Sequence, residues 1–412
     1  MRKAISRAWI DLKPREILAI VSQLLKVGKA AGSDSVHEFE EAFAKYIGTK
    51  HAVAFSSCRA GMYFGLKAMD WEEGDEVLLP AFNYWADAAM VLLAGLVPVF
   101  VDVDFNTAAM KPTDIENKLT SRTKAIFLTH LNGISADMES IINIAAQHKL
   151  RVFEDCARTC GLQYKGQKLG SFDIGTYSFS YGKNFYLFGG GMVTSDDDVF
   201  IKRLRKFKTE FHSKSIKQTL LETIKACVLK VVNTPLVFTV SLFPLIYENK
   251  ARPKNRFKQL FPRKMPVYEK VPSQFFLNMN NVQAKQGLRF LERIDFHNKR
   301  RAENARFLRK ELENKSEVHL FQASLFQNED MLYFAIQSKN KADLQRFLVQ
   351  KKIDAEHESA RNLPQLDQFK QFAAGEYPQA AALENTVILL PCHPKLSQKD
   401  IKYMSDKIKE FS

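Results

Sequence analysis

The chain has 412 residues, 46% hydrophobic and 26% charged, which excludes both a disordered tail and a bundle of membrane helices. Its length suits two or three domains, or one large α/β domain with a smaller companion. Sixty Lys and Arg against 46 Asp and Glu give +14, but 17 basic and 4 acidic residues lie between Lys202 and Lys270. That segment holds +13 and the rest of the chain only +1, which argues against a nucleic-acid partner for the whole surface.

The N-terminus, MRKAISRAWIDLKPREILAIVSQLL, carries charges through its first apolar run and lacks a continuous signal-peptide core. A cytoplasmic protein is expected. Residues 36 to 204 then alternate short apolar runs with helical patterns. Strands are predicted at 52–56, 76–80, 97–103, 124–130, 151–155, 175–180 and 191–195, and helices at 59–69, 85–94, 112–119 and 138–148. Strands that are apolar throughout and separated by helices form a mainly parallel sheet covered on both faces. Beyond Pro272 the pattern predicts one long helix over 281–314, strands at 332–337 and 386–391, and helices at 341–350 and 397–411. This is a smaller α+β domain. Five cysteines (Cys58, Cys156, Cys160, Cys227 and Cys392) include no CxxC pair, so neither a disulfide framework nor a metal site is expected.

In a parallel sheet the ligand lies beyond the carboxyl ends of the strands. The polar residues there are Ser56, Ser57, Cys58, Arg59, Asn83, Tyr84, His130, Glu154, Asp155, Ser178 and, just beyond, Lys183. A carboxylate, a lysine, an aromatic ring and a hydroxyl-rich turn suit an aldehyde cofactor that carries a phosphate. A lysine in a loop is ordinarily solvated surface, but Lys183 stands in YSFSYGKNFYLFGGG, where Gly189, Gly190 and Gly191 let backbone approach a ligand. Asp155 ends the apolar strand RVFED, where an ionised carboxylate needs a cationic partner or, on the plainer reading, a loop amide.

The stretches FEEAFAKYIGTKHAVAFSS, GDEVLLPAF, AGLVPVFVDVD, LTSRTKAIFLTHLNG, VFEDCA, YKGQKLGSFDIGTYSFS and GKN, in this order and spacing, resemble the DegT/StrS-type aminotransferases. YPQAAALENTVILLPCHPKLSQKDI is similar to that family's closing segment, so the resemblance covers about 35–200 and 275–412. It implies a fold type I transferase: a three-layer α/β/α large domain over 1–271, with an insertion at about 204–270, and a small C-terminal α+β domain over 272–412. It further implies pyridoxal 5'-phosphate, an amino donor such as glutamate, a keto-sugar acceptor that is nucleotide-linked, a place in glycoconjugate or natural-product biosynthesis, and a homodimer.

Residue by residue, the resemblance makes Lys183 the lysine that bonds to the cofactor and moves the proton. Asp155 faces the pyridine nitrogen, Tyr84 covers the ring, and Ser178 binds phosphate with Ser57 and the backbone at Cys58 and Arg59. The family's dehydratase branch carries histidine where Lys183 stands. Some positions depart from the pattern. Cys58 and Arg59 replace a Gly-Thr pair, and Arg59 suits either the phosphate or a surface acid. Arg158 replaces a glutamine that contacts the phenolic oxygen, and suits either that oxygen or a substrate anion. Asn278 replaces a frequent arginine, and the phosphate-binding loop supplied by a partner subunit is not recognisable after Phe207.

The basic insertion contains ACVLKVVNTPLVFTVSLFPLIY (226–247) and then ENKARPKNRFKQLFPRK. Lys230, Asn233, Pro235 and Pro244 interrupt the apolar run, which counts against a membrane span. Two readings stay open: a hairpin packed on the protein, or a membrane-surface element over 226–264, with Lys250, Arg252, Lys254, Arg256, Lys258, Arg263 and Lys264 on anionic headgroups. The second suits the same chemistry on a lipid-linked or other non-nucleotide ketone. A non-catalytic cofactor-binding regulator or scaffold is the alternative of a different class.

Overall fold

A computed structural model describes residues 2–26, 34–131, 133–251, 265, 267–322 and 332–411. Its main sheet has seven strands: β1 (His51–Phe55), β2 (Glu76–Pro80), β3 (Val97–Val101), β4 (Thr123–Thr129), β5 (Arg151–Asp155), β6 (Ile174–Ser178) and β7 (Gly191–Ser195). They lie in the order β1-β7-β6-β5-β4-β2-β3. Successive side chains of a strand point to opposite faces, and here both faces are buried. Val77 and Leu79 enter one core with Phe127 and Phe153, while Leu78 enters the other with Ile126, Leu128 and Val152. Each such aliphatic or aromatic side chain contributes about 1.5–3 kcal/mol when fully buried.

Strand direction decides where a site can form. β7 runs antiparallel to both β1 and β6, whereas β6, β5, β4, β2 and β3 are successively parallel. Six carboxyl ends and the amino end of β7 therefore share one edge. The helices follow the sequence pattern closely: Cys58–Ala68 is capped by Ser57, whose hydroxyl accepts the Ala60 amide at 3.2 Å, and Met138–His148 is capped by Asp137.

A second sheet holds β8 (His319–Leu320), β9 (Tyr333–Gln337), β10 (Glu356–His357) and β11 (Val387–Pro391), in the order β8-β9-β11-β10. Two features depart from expectation. The predicted helix 281–314 is two helices, Asn281–Leu291 and Ile294–Leu312, broken at Arg293 with φ −133°. The N-terminal chain, grouped by sequence with the large domain, pairs with the second half through a parallel bridge from Ile5 to Ile353.

The insertion is helical rather than a simple hairpin: Ile216–Val232, Pro235–Val240 and Leu242–Ala251 follow one another. No helix among the described residues is long and apolar enough to cross a membrane. Lys250 is tied to Asp354 and Glu356, each at 3.1 Å, and so is not free for a headgroup. The other six cations of the expected membrane element, Arg252 to Lys264, lie outside the described residues.

Candidate active site

A cavity of about 200 Å³ opens at the shared edge of the main sheet. Its wall brings together all eight residues singled out from the sequence: Ser57, Cys58, Arg59, Tyr84, Asp155, Arg158, Ser178 and Lys183. Asp155 and Ser178 are the last residues of β5 and β6. Cys58 and Arg59 open the helix Cys58–Ala68, whose unpaired first amides favour an anion. The antiparallel turn of β7 brings Gly190 beside Ser57. A Cβ on Gly191 would stand 2.4 Å from the Cys58 nitrogen, so this crossing requires glycine. Gly190, at φ +102°, needs it for its backbone conformation as well.

Two residues of the polar edge do not reach the cavity. Asn83 is fully buried and donates to Asp87 at 3.0 Å. Glu154 points away and accepts the amides of Gly170 (2.8 Å) and Phe172 (3.0 Å), with His130 Nε2 at 3.1 Å. His130, Glu154 and Cys156 lie close enough to share a metal ion, but these bonds already occupy both Glu154 oxygens. Tyr84, 37% exposed, is the aromatic on the cavity, whereas Trp85 is buried and tilts against Tyr268.

The charges are set by burial and by each other. Burial lowers the Lys183 ammonium, and Arg158 pushes it further down, outweighing the pull of Asp155. Burial raises the Asp155 carboxyl against the attraction of Lys183, while its Oδ1 accepts the Ala157 amide at 2.7 Å. Asp87 is the residue that sequence reasoning missed. It is fully buried on the cavity wall, receives Thr129 Oγ1 at 2.7 Å, and leaves Oδ1 without a hydrogen-bond partner among the described residues. Burial and then the repulsion of Asp155 drive its carboxyl well above the usual range. The available signal was an acid inside the apolar stretch WADAAMVLL.

The two arginines are already engaged. Arg59 Nη1 donates to the Tyr268 hydroxyl. Arg158 makes a two-pronged ion pair with Glu358, both contacts at 2.9 Å, and also donates to Ser359 Oγ. It thus takes up an acid of the small domain, an occupant that neither earlier reading of Arg158 included. Burial would raise the Glu358 carboxyl, but Arg158 and the amides of Ala360 and Ser359 hold it down at about 2.

A lysine with a lowered pKa, a buried carboxylate, a helix N-terminus with hydroxyls, and a glycine crossing fit a phosphate-bearing aldehyde. The donor set therefore fits pyridoxal 5'-phosphate. The chain matches the DegT/DnrJ/EryC1/StrS aminotransferase family over residues 12–229 and 251–409, and it belongs to that pyridoxal-phosphate-dependent family. It is 35% identical over 207 residues to the spore coat polysaccharide biosynthesis protein SpsC of Bacillus subtilis, a match spanning 50% of this chain and 53% of that one. The chain thus spans about half the length of this relative. Among solved structures it is similar to Helicobacter pylori PseC, an aminotransferase of pseudaminic acid biosynthesis, with a TM-score of 0.77, 19% identity and 99% of each chain covered. It is also similar to DesI determined in the presence of its TDP-sugar product, with a TM-score of 0.73, 20% identity, and 99% and 94% covered. These likenesses show the fold type I architecture.

Proposed function

We propose that this aminotransferase carries an amino group from glutamate to a nucleotide-linked keto sugar, working as a homodimer. The observation that carries the reading is that Lys183 and Asp155 line one cavity at the carboxyl edge of the sheet. The sugar acceptor is supported by the family, by the part PseC has in pseudaminic acid biosynthesis and by the TDP-sugar product of DesI. The homodimer rests on the family resemblance alone.

When bound, pyridoxal phosphate supplies an aldehyde carbon that takes an amine and a ring that accepts electrons. Lys183 would hold that group through Nζ and, when freed by the donor amine, would serve as the base that moves the substrate proton. Its lowered pKa keeps a neutral, basic fraction available for that transfer. Asp155 would face the ring nitrogen, and a cation there would favour its ionised form. Ser57, Ser178 and the first amides of the helix Cys58–Ala68 would hold the phosphate, and Tyr84 would lie against the ring. Arg59 gives the phosphate end added positive charge. Arg158 would add positive charge beside the phenolic oxygen while it stays paired with Glu358.

The test is incubation with pyridoxal phosphate, ¹⁵N-glutamate and a dTDP- or UDP-linked keto sugar, with mass spectrometry of the products. A ¹⁵N-amino sugar together with 2-oxoglutarate is the expected result. Formation of 2-oxoglutarate without amination of any nucleotide sugar would transfer the reading to a non-nucleotide acceptor, and formation of neither would remove the donor as well.

A further inference from the structure

The helix Ile216–Val232 buries two threonines and leaves an apolar stripe outside. Thr219, Thr223 and Ala226 face the protein, each under a tenth exposed. The two threonine hydroxyls bond the carbonyls of Ser215 (3.2 Å) and Thr219 (2.8 Å), one turn back. The outward side carries Leu220, Leu221, Ile224, Val228 and Val231, all between 44% and 67% exposed. At 3.6 residues per turn these five fall within an arc of roughly 100°.

On the next two helices Leu236, Val240 and Leu245 are also 57% to 70% exposed. Fourteen large apolar side chains are exposed among the described residues, and eight of them lie between Leu220 and Leu245. A concentration of exposed apolar side chains of this kind marks a contact surface. Its surroundings indicate what the contact is. Lys217 and Lys225 are exposed on the first helix, and that helix's one acid, Glu222, is paired with Lys214 at 2.9 Å.

We infer that this face rests on a lipid bilayer bearing anionic headgroups, with the apolar stripe entering the acyl boundary and the lysines meeting phosphates. Interfacial helices combine an exposed apolar face with flanking cations in this way. The first helix, 17 residues and hence about 25 Å long, lies flat on the surface and does not cross it. This inference is independent of which ketone the enzyme aminates.

The experiment uses the full chain loaded with pyridoxal phosphate. It is sedimented with vesicles of phosphatidylcholine alone, or of phosphatidylcholine mixed with phosphatidylglycerol, at low and high salt. Binding to the mixed vesicles, weakened by salt, is expected. The variant Leu221→Ser/Ile224→Ser/Val228→Ser should bind them at least about tenfold less. Lys217→Glu/Lys225→Glu should lower binding to the mixed vesicles, and supplies the test if the serine variant does not fold. Both variants should release 2-oxoglutarate from glutamate as the parent does, so a failure of the catalytic reading is scored separately. Absence of sedimentation with mixed vesicles, or parental binding by both variants, would overturn the inference. So would a change in the number of copies per assembly in the serine variant, which would make the face an interface with a second copy.

Discussion

Replacing Glu358 with glutamine preserves the shape of the side chain and removes one charge from the pair with Arg158. The two side chains are 1% and 11% exposed, so water cannot take over the lost role. The Glu358 carboxyl sits at about 2 against an ordinary 4.5, a gap equivalent to ~3 kcal/mol at about 1.4 kcal/mol per pH unit. Removing one partner of a buried pair costs about 3–5 kcal/mol, so the two routes agree. Because the carboxyl is depressed on folding, its contribution is complete above pH 4.5 and is lost as pH falls toward about 2. Urea unfolding followed across this range should show the variant ~3 kcal/mol less stable near neutrality, with the two curves converging in acid. A variant within about 0.5 kcal/mol of the parent near neutrality, or a deficit that does not change with pH, would refute the argument.

Three further substitutions probe the cavity. Lys183→Ala should lower turnover by about 10²–10⁴-fold or more, and borohydride should no longer fix the cofactor's mass to the chain; equal labelling of parent and variant would remove Lys183 from its role. Gly191→Ala places a methyl group 2.4 Å from the backbone nitrogen of Cys58, which no rotamer change can relieve. Displacing that helix start at ~1–3 kcal/mol should weaken pyridoxal phosphate binding about tenfold or more by fluorescence titration, and unchanged affinity would show that the crossing is not part of the cradle. Burial and the charge of Asp155 keep the Asp87 carboxyl protonated well above the usual range. Asp87→Asn therefore removes no charge from beside Asp155, so the acid limb of 2-oxoglutarate release should stay in place, and a limb displaced by about half a pH unit or more would show that Asp87 is ionised in the working enzyme.

The main sheet was legible because its strands are buried on both faces and read as unbroken apolar runs; those at 76–80, 151–155 and 191–195 have their predicted bounds. Asp155 and Lys183 were legible because chemistry at a strand end stands out against such runs. What escaped depends on residues far apart in sequence. Asp87 becomes a titratable partner only because parallel pairing sets β2 and β5 on either side of β4, bringing Asp155 near. Arg158 could be named as a cavity residue, but its partner Glu358 lies 200 residues away. The helix pattern runs unbroken through 281–314, whereas the chain breaks at Arg293, whose guanidinium pairs with Glu16 and Asp11, residues more than 270 positions away that no local pattern reveals. The insertion shows the same limit most sharply. Its periodicity reveals a helix with an apolar and a polar side, yet which side faces the protein depends on what it packs against. Ala226 packs in a small cluster with Ile10, Ile20, Phe188 and Val282, a fit that turns Thr219 and Thr223 inward and leaves the leucines and valines outside. Periodicity therefore locates an amphipathic face, and only the packing shows whether that face is core or contact surface.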